Sequence, residues 1–233
     1  MRYTYLRLLA ASLGFAVTLT LAATAESAPN VDKVTLAPSL KYLDELTISG
    51  PQDFLRDSPA INADGTVNFF AEIPTGTNAK WEVKTDGKLH WDMKKGKPRI
   101  VQYLSYVGNY GMVPQTVQGD DDPIDMIVLA PPLARGAVVP VRLIGAMKFT
   151  DGGEQDNKLI AVLPGTPLGE ITSLKELDEQ FPGVTEIVRV WFEHYKGLDN
   201  KMKYIGAVER AEAERLLQDA HKAFDPTRRA EGK

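Results

Sequence analysis

Alternating hydrophobic and polar positions predict β-strands through most of the chain, and helical spacing appears only near its end. The clearest alternation occupies residues 67–73, between Asp64-Gly65 and Pro74, which are typical turn residues. The other predicted strands, separated by Pro and Gly signals, are residues 80–84, 99–103, 124–130, 138–149 and 159–163. In the segment 80–84 the charged side chains share one face, while Trp81 and Val83 share the other. This pattern predicts a polar face directed either into a site or toward solvent.

Three helices are predicted after these strands. A capping-box spacing that begins at Ser173 predicts a helix toward Phe181. Apolar residues at every fourth position predict a second helix that ends before Gly197. Those residues are Ile187, Trp191 and Tyr195. A third helix is predicted at about residues 209–224. Strands followed by helices predict an α+β fold, mainly β, with a closed or strongly curled sheet.

The composition suits one globular domain, because 43% of the 233 residues are hydrophobic and 25% are charged. The formal charge is −4 and there is no block of basic residues, which argues against nucleic acid as a partner. Because the chain has no cysteine, disulfides and thiolate metal sites are excluded. Stability must come from the core, from bound metal or from oligomerisation.

Residues 1–25 have the pattern of a cleaved secretory signal peptide. Arg2 and Arg7 precede a long uncharged apolar stretch, and Ala23-Thr24-Ala25 resembles a cleavage site. A membrane anchor is the alternative, but about fifteen apolar residues are fewer than the roughly 20 that span a bilayer. We therefore predict a signal peptide at 1–25, one domain at 26–233, no stable membrane anchor, and a periplasmic or secreted location.

An acidic cluster lies directly before the strand predicted at 124–130, with four carboxylates in six residues. These are Asp120, Asp121, Asp122 and Asp125. Carboxylates about 4 Å apart repel by roughly 1 kcal/mol in water and roughly 4 kcal/mol at an intermediate dielectric, so grouping them is costly without a cation. Such oxygen ligands suit Mg²⁺, Mn²⁺ or Ca²⁺. A solvated acidic turn is the alternative. An EF-hand loop is excluded, since Asp125 and Pro131 stand where that loop needs Gly and Glu.

A second acidic loop lies between the strands predicted at 138–149 and 159–163. It contains Asp151, Glu154 and Asp156. Two acidic loops at one end of a curled sheet could supply ligands to one metal site. Two plain hairpin turns would contain the same Asp and Gly residues without a joint function. The sequence leaves both interpretations open.

Basic and phenolic side chains would complete a phosphate site. They are Lys80, Arg99, Lys158, Lys196, Tyr106, Tyr110 and Tyr195. In such sites metals and cations neutralise and hold phosphoryl oxygens, while an acidic group orients or deprotonates the attacking water. Taken alone, each of these residues is more typical of a surface charge or a rim aromatic than of a phosphate site.

The order of these motifs resembles the family I soluble inorganic pyrophosphatases. Residues 120–125 match the D-x-D-P-x-D signature of that family. Further segments similar to family motifs occur in the family's order between about residues 68 and 204: 72–74, 80–82, 94–99, 109–111, 151–158 and 192–196. The resemblance implies an OB-like five-stranded closed barrel with flanking helices. It also implies an inorganic diphosphatase that hydrolyses inorganic pyrophosphate to two phosphates with Mg²⁺, or with Mn²⁺ or another divalent cation.

The resemblance further implies roles for individual residues. Four would bind the metals directly: Asp120, Asp125, Asp156 and Asp151. Two would bind metal-coordinated waters or a further metal: Glu72 and Glu82. Four would contact phosphate, beside the charged neighbour Lys158: Lys80, Arg99, Tyr195 and Lys196. Asp122 would be the general base for the attacking water, and Tyr106 the proton donor to the leaving phosphate. Tyr110 would orient the site near Asp122.

One position departs from the family pattern, since Gly152 stands where many relatives have Glu; an outer metal contact is therefore in doubt. The signal peptide is also unusual for this family and indicates an exported variant. The resemblance implies a homo-oligomer, a hexamer as in bacterial members or a dimer as in eukaryotic ones, and the sequence leaves that choice open.

Two other functions stay open. One is a phosphohydrolase of the same fold that acts on polyphosphate or nucleotide phosphoanhydrides. The other is a non-catalytic divalent-cation-binding protein. Asp122, Arg99 and Lys196 weigh against this second function, because metal storage needs neither a base nor a phosphate clamp.

Overall fold

The computed structural model describes residues 34–119 and 121–226, so the predicted signal peptide lies outside the described residues. The described part is mainly β-sheet with three helices. Its strands are β1 Lys41–Asp44, β2 Thr47–Ser49, β3 Val67–Ile73, β4 Trp81–Val83, β5 Leu89–Trp91, β6 Met93–Lys94, β7 Lys97–Pro98, β8 Asn109–Met112, β9 Asp125–Leu129, β10 Val138–Asp151, β11 Glu154–Gln155, β12 Lys158–Val162 and β13 Met202–Glu209. Its helices are α1 Leu174–Gln180, α2 Val184–His194 and α3 Arg210–Ala223, with a 3₁₀ turn at Gly197–Asp199.

Three sheets organise these strands. The largest has seven strands in the order β11-β10-β12-β9-β8-β3, with β13 paired to β10. A four-stranded sheet has the order β1-β2-β5-β4, and β6 and β7 form a separate hairpin. Between β9 and β12 the pairing is parallel, whereas the other strand pairs of the large sheet are antiparallel.

Five strands of the large sheet are joined in a ring of hydrogen bonds. β3 pairs with β8, β8 with β9, β9 with β12 and β12 with β10, and the first residues of β10 return to β3. The long β10 shifts register between Leu143 and Gly145. A Cβ at Gly145 would lie 2.4 Å from Leu174 Cγ and 2.7 Å from the carbonyl oxygen of Val208. The missing side chain therefore lets α1 and β13 approach β10 at this irregularity.

The strand predictions are largely confirmed. Residues 67–73 form β3, and the other confirmed predictions differ from β4, β9, β10 and β12 by one or two residues at their ends. The prediction for 99–103 is wrong. That segment runs beside Asn78–Lys80 through single hydrogen bonds and one isolated bridge, Ala79 to Ile100. The side-chain amide of Asn78 also donates to the Val101 carbonyl, so part of the pairing is made by a side chain.

The helix predictions are confirmed in position but not in every detail. Ser173 is the N-cap of α1 and its hydroxyl accepts from the Glu176 N–H, whereas the Glu176 carboxylate accepts from the N–H of Thr172 instead of that of Ser173. In α2 the predicted apolar face is only partly right, because Ile187 is 59% exposed. The buried residues of α2 are Val188, Trp191 and Phe192.

Strand β13 was not predicted, although its residues alternate in burial along its whole length. The reason is that Ile205, an apolar residue, points outward and is 60% exposed, which hides the alternation in the sequence. Within the described residues, none of the helices has the length and apolar character needed to cross a bilayer.

The core has two main clusters that share strand β12. Ile160 and Val162 belong to a cluster with residues of α1 and α2, and Leu159 and Ala161 belong to a cluster with Leu217 of α3. Since alternate side chains of one strand enter both clusters, β12 is buried on both faces. This burial fixes its register with β9, and that register positions the site.

Candidate active site

The first acidic loop and the second are brought together by the parallel pairing of β9 and β12. Asp125 begins β9, Lys158 begins β12, and the two residues are register partners. Asp122 and Asp156 lie just before these two strands. The starts of two neighbouring parallel strands lie at the same edge of the sheet, so both loops meet there.

Gln118 joins the two loops directly. Its side-chain oxygen accepts from the Asn157 N–H at 3.1 Å, and its amide nitrogen donates to the Asn157 carbonyl at 3.5 Å. Its backbone closes the first loop, because its N–H donates to the Asp122 carbonyl at 2.8 Å and its carbonyl accepts from the Asp121 N–H at 3.1 Å. The two acidic loops therefore do converge, as one of the two sequence interpretations required.

The second loop begins with a tight hairpin turn. Asp151 pairs with Glu154 across the turn, and the two residues between them, Gly152 and Gly153, both have positive φ angles of 63° and 104°. A two-residue hairpin turn of this kind favours glycine at its central positions. The departure at Gly152 thus has a local conformational reason.

The ammonium group of Lys158 lies between the carboxylates of Asp125 and Asp156 and forms ion pairs with both. Lys158 and Asp156 are buried, and Lys158 Nζ also lies 3.4 Å from the hydroxyl of Tyr110. Burial alone would lower the pKa of Lys158, but the two carboxylates outweigh it and the pKa is raised. Burial raises the pKa of Asp125, and the nearby Lys158 charge opposes that rise. In this part of the site, the lysine ammonium is the cation that lies between the two carboxylates.

A small pocket next to this pair is lined by four predicted site carboxylates. They are Glu72, Glu82, Asp122 and Asp125. Glu72 on β3 is buried and accepts a 2.6 Å hydrogen bond from the Val83 N–H. Burial raises the pKa of Glu72 well above its ordinary value; the Val83 N–H opposes this and the charge of Glu82 adds to it. Acids from β3, β4 and the first acidic loop thus face one small volume.

A row of alternating charges along β4 borders the pocket. Glu82 forms ion pairs with Lys80 and with Lys84, the latter at 2.5 Å. Trp81 and Val83 are buried on the opposite face, so the polar face predicted for this strand points into the site. Burial alone would lower the pKa of Lys80, but the Glu82 carboxylate outweighs it and the pKa is raised well above its ordinary value. Lys80 is therefore a buried, fully charged cation at the pocket.

Asp122 lines the pocket and is exposed as a residue. Loss of solvent around its carboxyl group raises its pKa, and the negative charge of Glu82 raises it further. A carboxylate with a raised pKa is a better proton acceptor than an ordinary aspartate. The position and chemistry of Asp122 suit a general base.

Tyrosine rings form the wall behind the cations. Tyr106 and Tyr110 pack with centroids 5.2 Å apart, and Tyr195 stacks on Trp191 at 4.6 Å. Burial raises the pKa of both Tyr106 and Tyr110 well above the ordinary value. Both phenols are protonated at neutral pH, as tyrosines ordinarily are, and can donate hydrogen bonds; the raised pKa makes each of them a weaker acid.

Two predicted phosphate contacts lie at the rim, each held by an acid. Arg99 pairs with Asp92 at 2.9 Å, and Lys196 pairs with Asp151 at 2.5 Å. Asp151 is therefore directed to Lys196 and not to the Lys158 ion pairs. Such pairing holds both cations in place until an anionic ligand competes for them.

A metal would find oxygen ligands here, although residues 34–119 and 121–226 contain no group of three Asp, Glu or His side chains that forms a metal site alone. Asp120 lies outside the described residues, so its predicted role stays a prediction. The acids that are described offer only hard oxygen donors, which suit Mg²⁺. The ammonium of Lys158 between Asp125 and Asp156 shows that this acid pair accommodates positive charge.

Three residues of the site were missed by the sequence prediction. Lys84 could have been included, because it shares the charged face of β4 with Lys80 and Glu82. Asp92 and Gln118 gave no signal, because their roles depend on pairings between loops that the sequence alone does not define.

Comparisons with known proteins point to one family. The sequence profile of the family described as inorganic pyrophosphatase matches residues 69–225. An inorganic pyrophosphatase of Ralstonia nicotianae is 35% identical over 165 residues, which cover 67% of this chain and 91% of that protein. An inorganic pyrophosphatase of Drosophila melanogaster is 33% identical over 181 residues, covering 66% of this chain and 54% of that protein. The chain thus spans about half the length of the eukaryotic relatives it matches.

Solved structures show the same fold. The inorganic pyrophosphatase of Thermus thermophilus matches with a TM-score of 0.64 and 29% identity, covering 72% of this chain and 97% of that chain. The type I inorganic pyrophosphatase of P. falciparum matches with a TM-score of 0.71 and 27% identity, covering 78% and 70%. With the profile match across more than half its length, the chain belongs to the family I soluble inorganic pyrophosphatases.

Proposed function

We propose that this protein hydrolyses inorganic pyrophosphate to two orthophosphates with Mg²⁺ as its cofactor. The observation that carries the proposal is the convergence of two acidic loops with a row of cations. Glu72, Asp122 and Asp125 line one pocket, and the buried Lys80 lies at its border. A dianionic phosphoryl group needs the cations, and a hydrolytic water needs the base.

The acids fit a divalent cation, and we assign Asp120, Asp125, Asp156 and Asp151 as its ligands, with Glu72 and Glu82 in outer positions. When bound, divalent cations neutralise phosphoryl charge and lower the pKa of water. Release of Lys158 from Asp125 and Asp156 would leave two carboxylates available to such a cation. The ammonium leaves this acid pair with one uncompensated negative charge, which a divalent cation would neutralise.

The remaining roles are assigned from the family resemblance, and the positions of the side chains support them. Lys80, Arg99 and Lys196, with the Tyr195 hydroxyl, hold phosphoryl oxygens, and Asp122 accepts the proton of the attacking water. We assign to Tyr106 the proton donation to the leaving phosphate; because burial raises its pKa, this transfer depends on the negative charge that develops on that phosphate. Tyr110 contacts Lys158 and orients the acids next to it.

Three broader features belong to the same proposal. We infer that the ring of β3, β8, β9, β12 and β10 is an OB-like five-stranded closed barrel. We also infer a homo-oligomer, either hexamer or dimer, and export to the periplasm or beyond after cleavage of residues 1–25. The ring of strand pairings supports the barrel. Export rests on the leader pattern in the sequence.

Phosphate release from pyrophosphate tests the proposed function. We expect fast phosphate release in Mg²⁺ and loss of release when a chelator is added. The reason is that the acids of the site repel a polyanion unless cations neutralise the charges of the acids and of the polyanion. ATP and tripolyphosphate, assayed in parallel, separate a pyrophosphatase from a broader phosphohydrolase. If no phosphate appeared with any divalent cation, the protein would be a metal-binding relative without catalysis.

Gln118→Ala tests the contact that holds the two acidic loops together. We expect the Mg²⁺ concentration for half-maximal activity to rise about threefold to tenfold, less than the loss for a residue that bonds a metal ligand directly. At saturating Mg²⁺ the turnover rate should return close to that of the unmodified chain, because Gln118 does not contact the substrate site. A calorimetric Mg²⁺ titration should show the same weakening without any turnover.

Gln155→Ala is the matched control, since Gln155 is exposed and precedes Asp156 in the same loop. Its Mg²⁺ affinity should be unchanged. An equal affinity loss in both variants, or none in either, would mean that Gln118 does not position the loops.

A further inference from the structure

The hairpin of β6 and β7 presents lysines on the same face as a predicted phosphate contact. Asp92 and Arg99 form an ion pair at the base of the hairpin, and Lys94 and Lys97 are register partners one step further out. Side chains two residues apart on a strand lie on one face, so Lys94 follows Asp92 and Lys97 follows Arg99. The face that begins at the Arg99 guanidinium therefore continues outward into two lysines.

Backbone hydrogen bonds join the base of this hairpin to the site. The Lys80 N–H donates to the Arg99 carbonyl at 3.0 Å, the Asp92 N–H to the Lys80 carbonyl at 2.8 Å, and the Arg99 N–H to the Asp92 carbonyl at 2.7 Å. The hairpin closes through a two-residue turn, Lys95 and Gly96, whose φ angles are 54° and 73°. Its position next to Lys80 is therefore set by main-chain contacts and not by loose side chains.

The two lysines face each other without a compensating acid. Lys94 and Lys97 are exposed, and among the residues that the structure describes neither forms an ion pair. Like charges directly opposite each other on paired strands destabilise the pair. The acids at the base of the hairpin are already in ion pairs, since Asp92 pairs with Arg99 and Glu82 of β4 pairs with Lys80 and Lys84. The surplus of positive charge is local, because the whole chain has a formal charge of −4.

We propose that Lys94 and Lys97 form an outer subsite, beside Arg99, for the third and later phosphoryl groups of a linear phosphate chain. The inference rests on the proposed function, because that function makes Arg99 a phosphate contact. Two residues of strand advance about 7 Å, which exceeds the distance between the two phosphorus atoms of pyrophosphate. Pyrophosphate bound at Arg99 therefore ends before the outer lysines, whereas a run of three or more phosphoryl groups reaches them.

Binding of pyrophosphate and of tripolyphosphate to the double variant Lys94→Glu/Lys97→Glu tests the subsite. Calorimetric titrations with Mg²⁺ in an Asp122→Asn background, where turnover is slow, give both dissociation constants. We expect tripolyphosphate to bind about tenfold or more weakly, because it contacts the altered positions directly. Pyrophosphate should bind less than about threefold more weakly, because it ends before these positions and is affected only by their field, which salt screens over roughly 8 to 10 Å. Lys94→Gln/Lys97→Gln should also weaken tripolyphosphate more than pyrophosphate, but to a smaller extent. This variant removes two positive charges without adding negative ones, so it tests the subsite even where the charge-reversed variant folds poorly.

Lys175→Glu/Lys222→Glu, on exposed faces of α1 and α3, is the matched control for total charge. It should leave both dissociation constants unchanged. Equal weakening of the two ligands in the hairpin variant would indicate a general field, and no weakening would leave the lysines without a ligand; either result overturns the subsite. ATP titrated in parallel identifies the source of the chain: weakening assigns nucleoside triphosphates as well, and no weakening restricts the subsite to inorganic chains.

These outcomes are independent of the proposed activity. Failure of the proposed function would appear as no phosphate release from pyrophosphate by the unmodified protein. Failure of the subsite would appear in binding alone, as equal weakening of the two ligands or as no weakening of either in the hairpin variant.

Discussion

Asp122→Asn is expected to slow pyrophosphate turnover by about 10² to 10⁴, the usual contribution of a general base, while the fold stays intact. Asparagine has nearly the same shape as aspartate but cannot accept a proton. Because desolvation and Glu82 raise the pKa of Asp122, the carboxylate of the unmodified chain is matched to that task more closely than a solvated aspartate. The loss should fall on kcat more than on KM, since Lys80, Arg99 and Lys196 still hold the phosphoryl groups. Steady-state kinetics at saturating Mg²⁺ measures both.

Asp121→Asn provides a neighbouring control in the same acidic loop. Asp121 has a φ of 66°, a left-handed conformation that asparagine also tolerates, so this variant removes a charge without straining the turn. It should change turnover far less than Asp122→Asn. If both variants lost activity equally, the acidic loop would act through its total charge, and the assignment of Asp122 as the base would be wrong.

The strands were predicted well where side-chain pattern and turn residues agreed. Residues 67–73 have apolar and aromatic side chains between two turns, and they form β3 with the predicted ends. Residues 99–103 have similar side chains, yet they form no strand, because the side chain of Asn78 and single backbone contacts take up their hydrogen bonds. A hydrophobic pattern predicts which residues are buried. It does not predict whether a segment pairs with another strand through a continuous series of backbone hydrogen bonds.

The pattern of strands followed by helices predicted a closed or strongly curled sheet, whereas a ring of five strands was expected only from the family resemblance. The closing pair joins Val138–Val141 of β10 to Val67–Phe70 of β3, across more than 60 residues of chain. Neither segment contains any sign of its partner. Long-range pairing of this kind is decided by how two buried faces fit together, which a single sequence does not display.

In the candidate site, too, the sequence indicated the types of residue but not their partners. The predicted acids and cations do lie together, since Glu72, Glu82, Asp122 and Asp125 line one pocket. The ion pairs among them could not be predicted. Asp151 pairs with Lys196, and Asp92, which gave no signal, pairs with Arg99. Each pair depends on a register between strands or on a loop contact, so residue type predicted the chemistry and the tertiary structure determined the partners.

Lys158→Met is expected to lower the free energy of unfolding by about 3 to 5 kcal/mol in the absence of divalent cations. The side chain of Lys158 is 3% exposed and forms ion pairs with both Asp125 and Asp156. Methionine fills a similar volume, so the loss comes mainly from two carboxylates left facing each other in a poorly solvated place. Urea unfolding with a chelator present measures the loss. Lys203→Met, at an exposed position of β13, should change stability by less than about 0.5 kcal/mol.

Added Mg²⁺ distinguishes the structural role of Lys158 from its role beside the metal ligands. A ligand that binds only the folded chain stabilises it in proportion to the logarithm of its concentration over its dissociation constant. Without the competing ammonium, Asp125 and Asp156 should bind Mg²⁺ more tightly, so Mg²⁺ should restore more stability to Lys158→Met than it adds to the unmodified chain. Equal gains in both proteins would mean that Lys158 and the metal do not share these carboxylates. A loss below about 1 kcal/mol without metal would show that the buried ion pairs contribute little to stability.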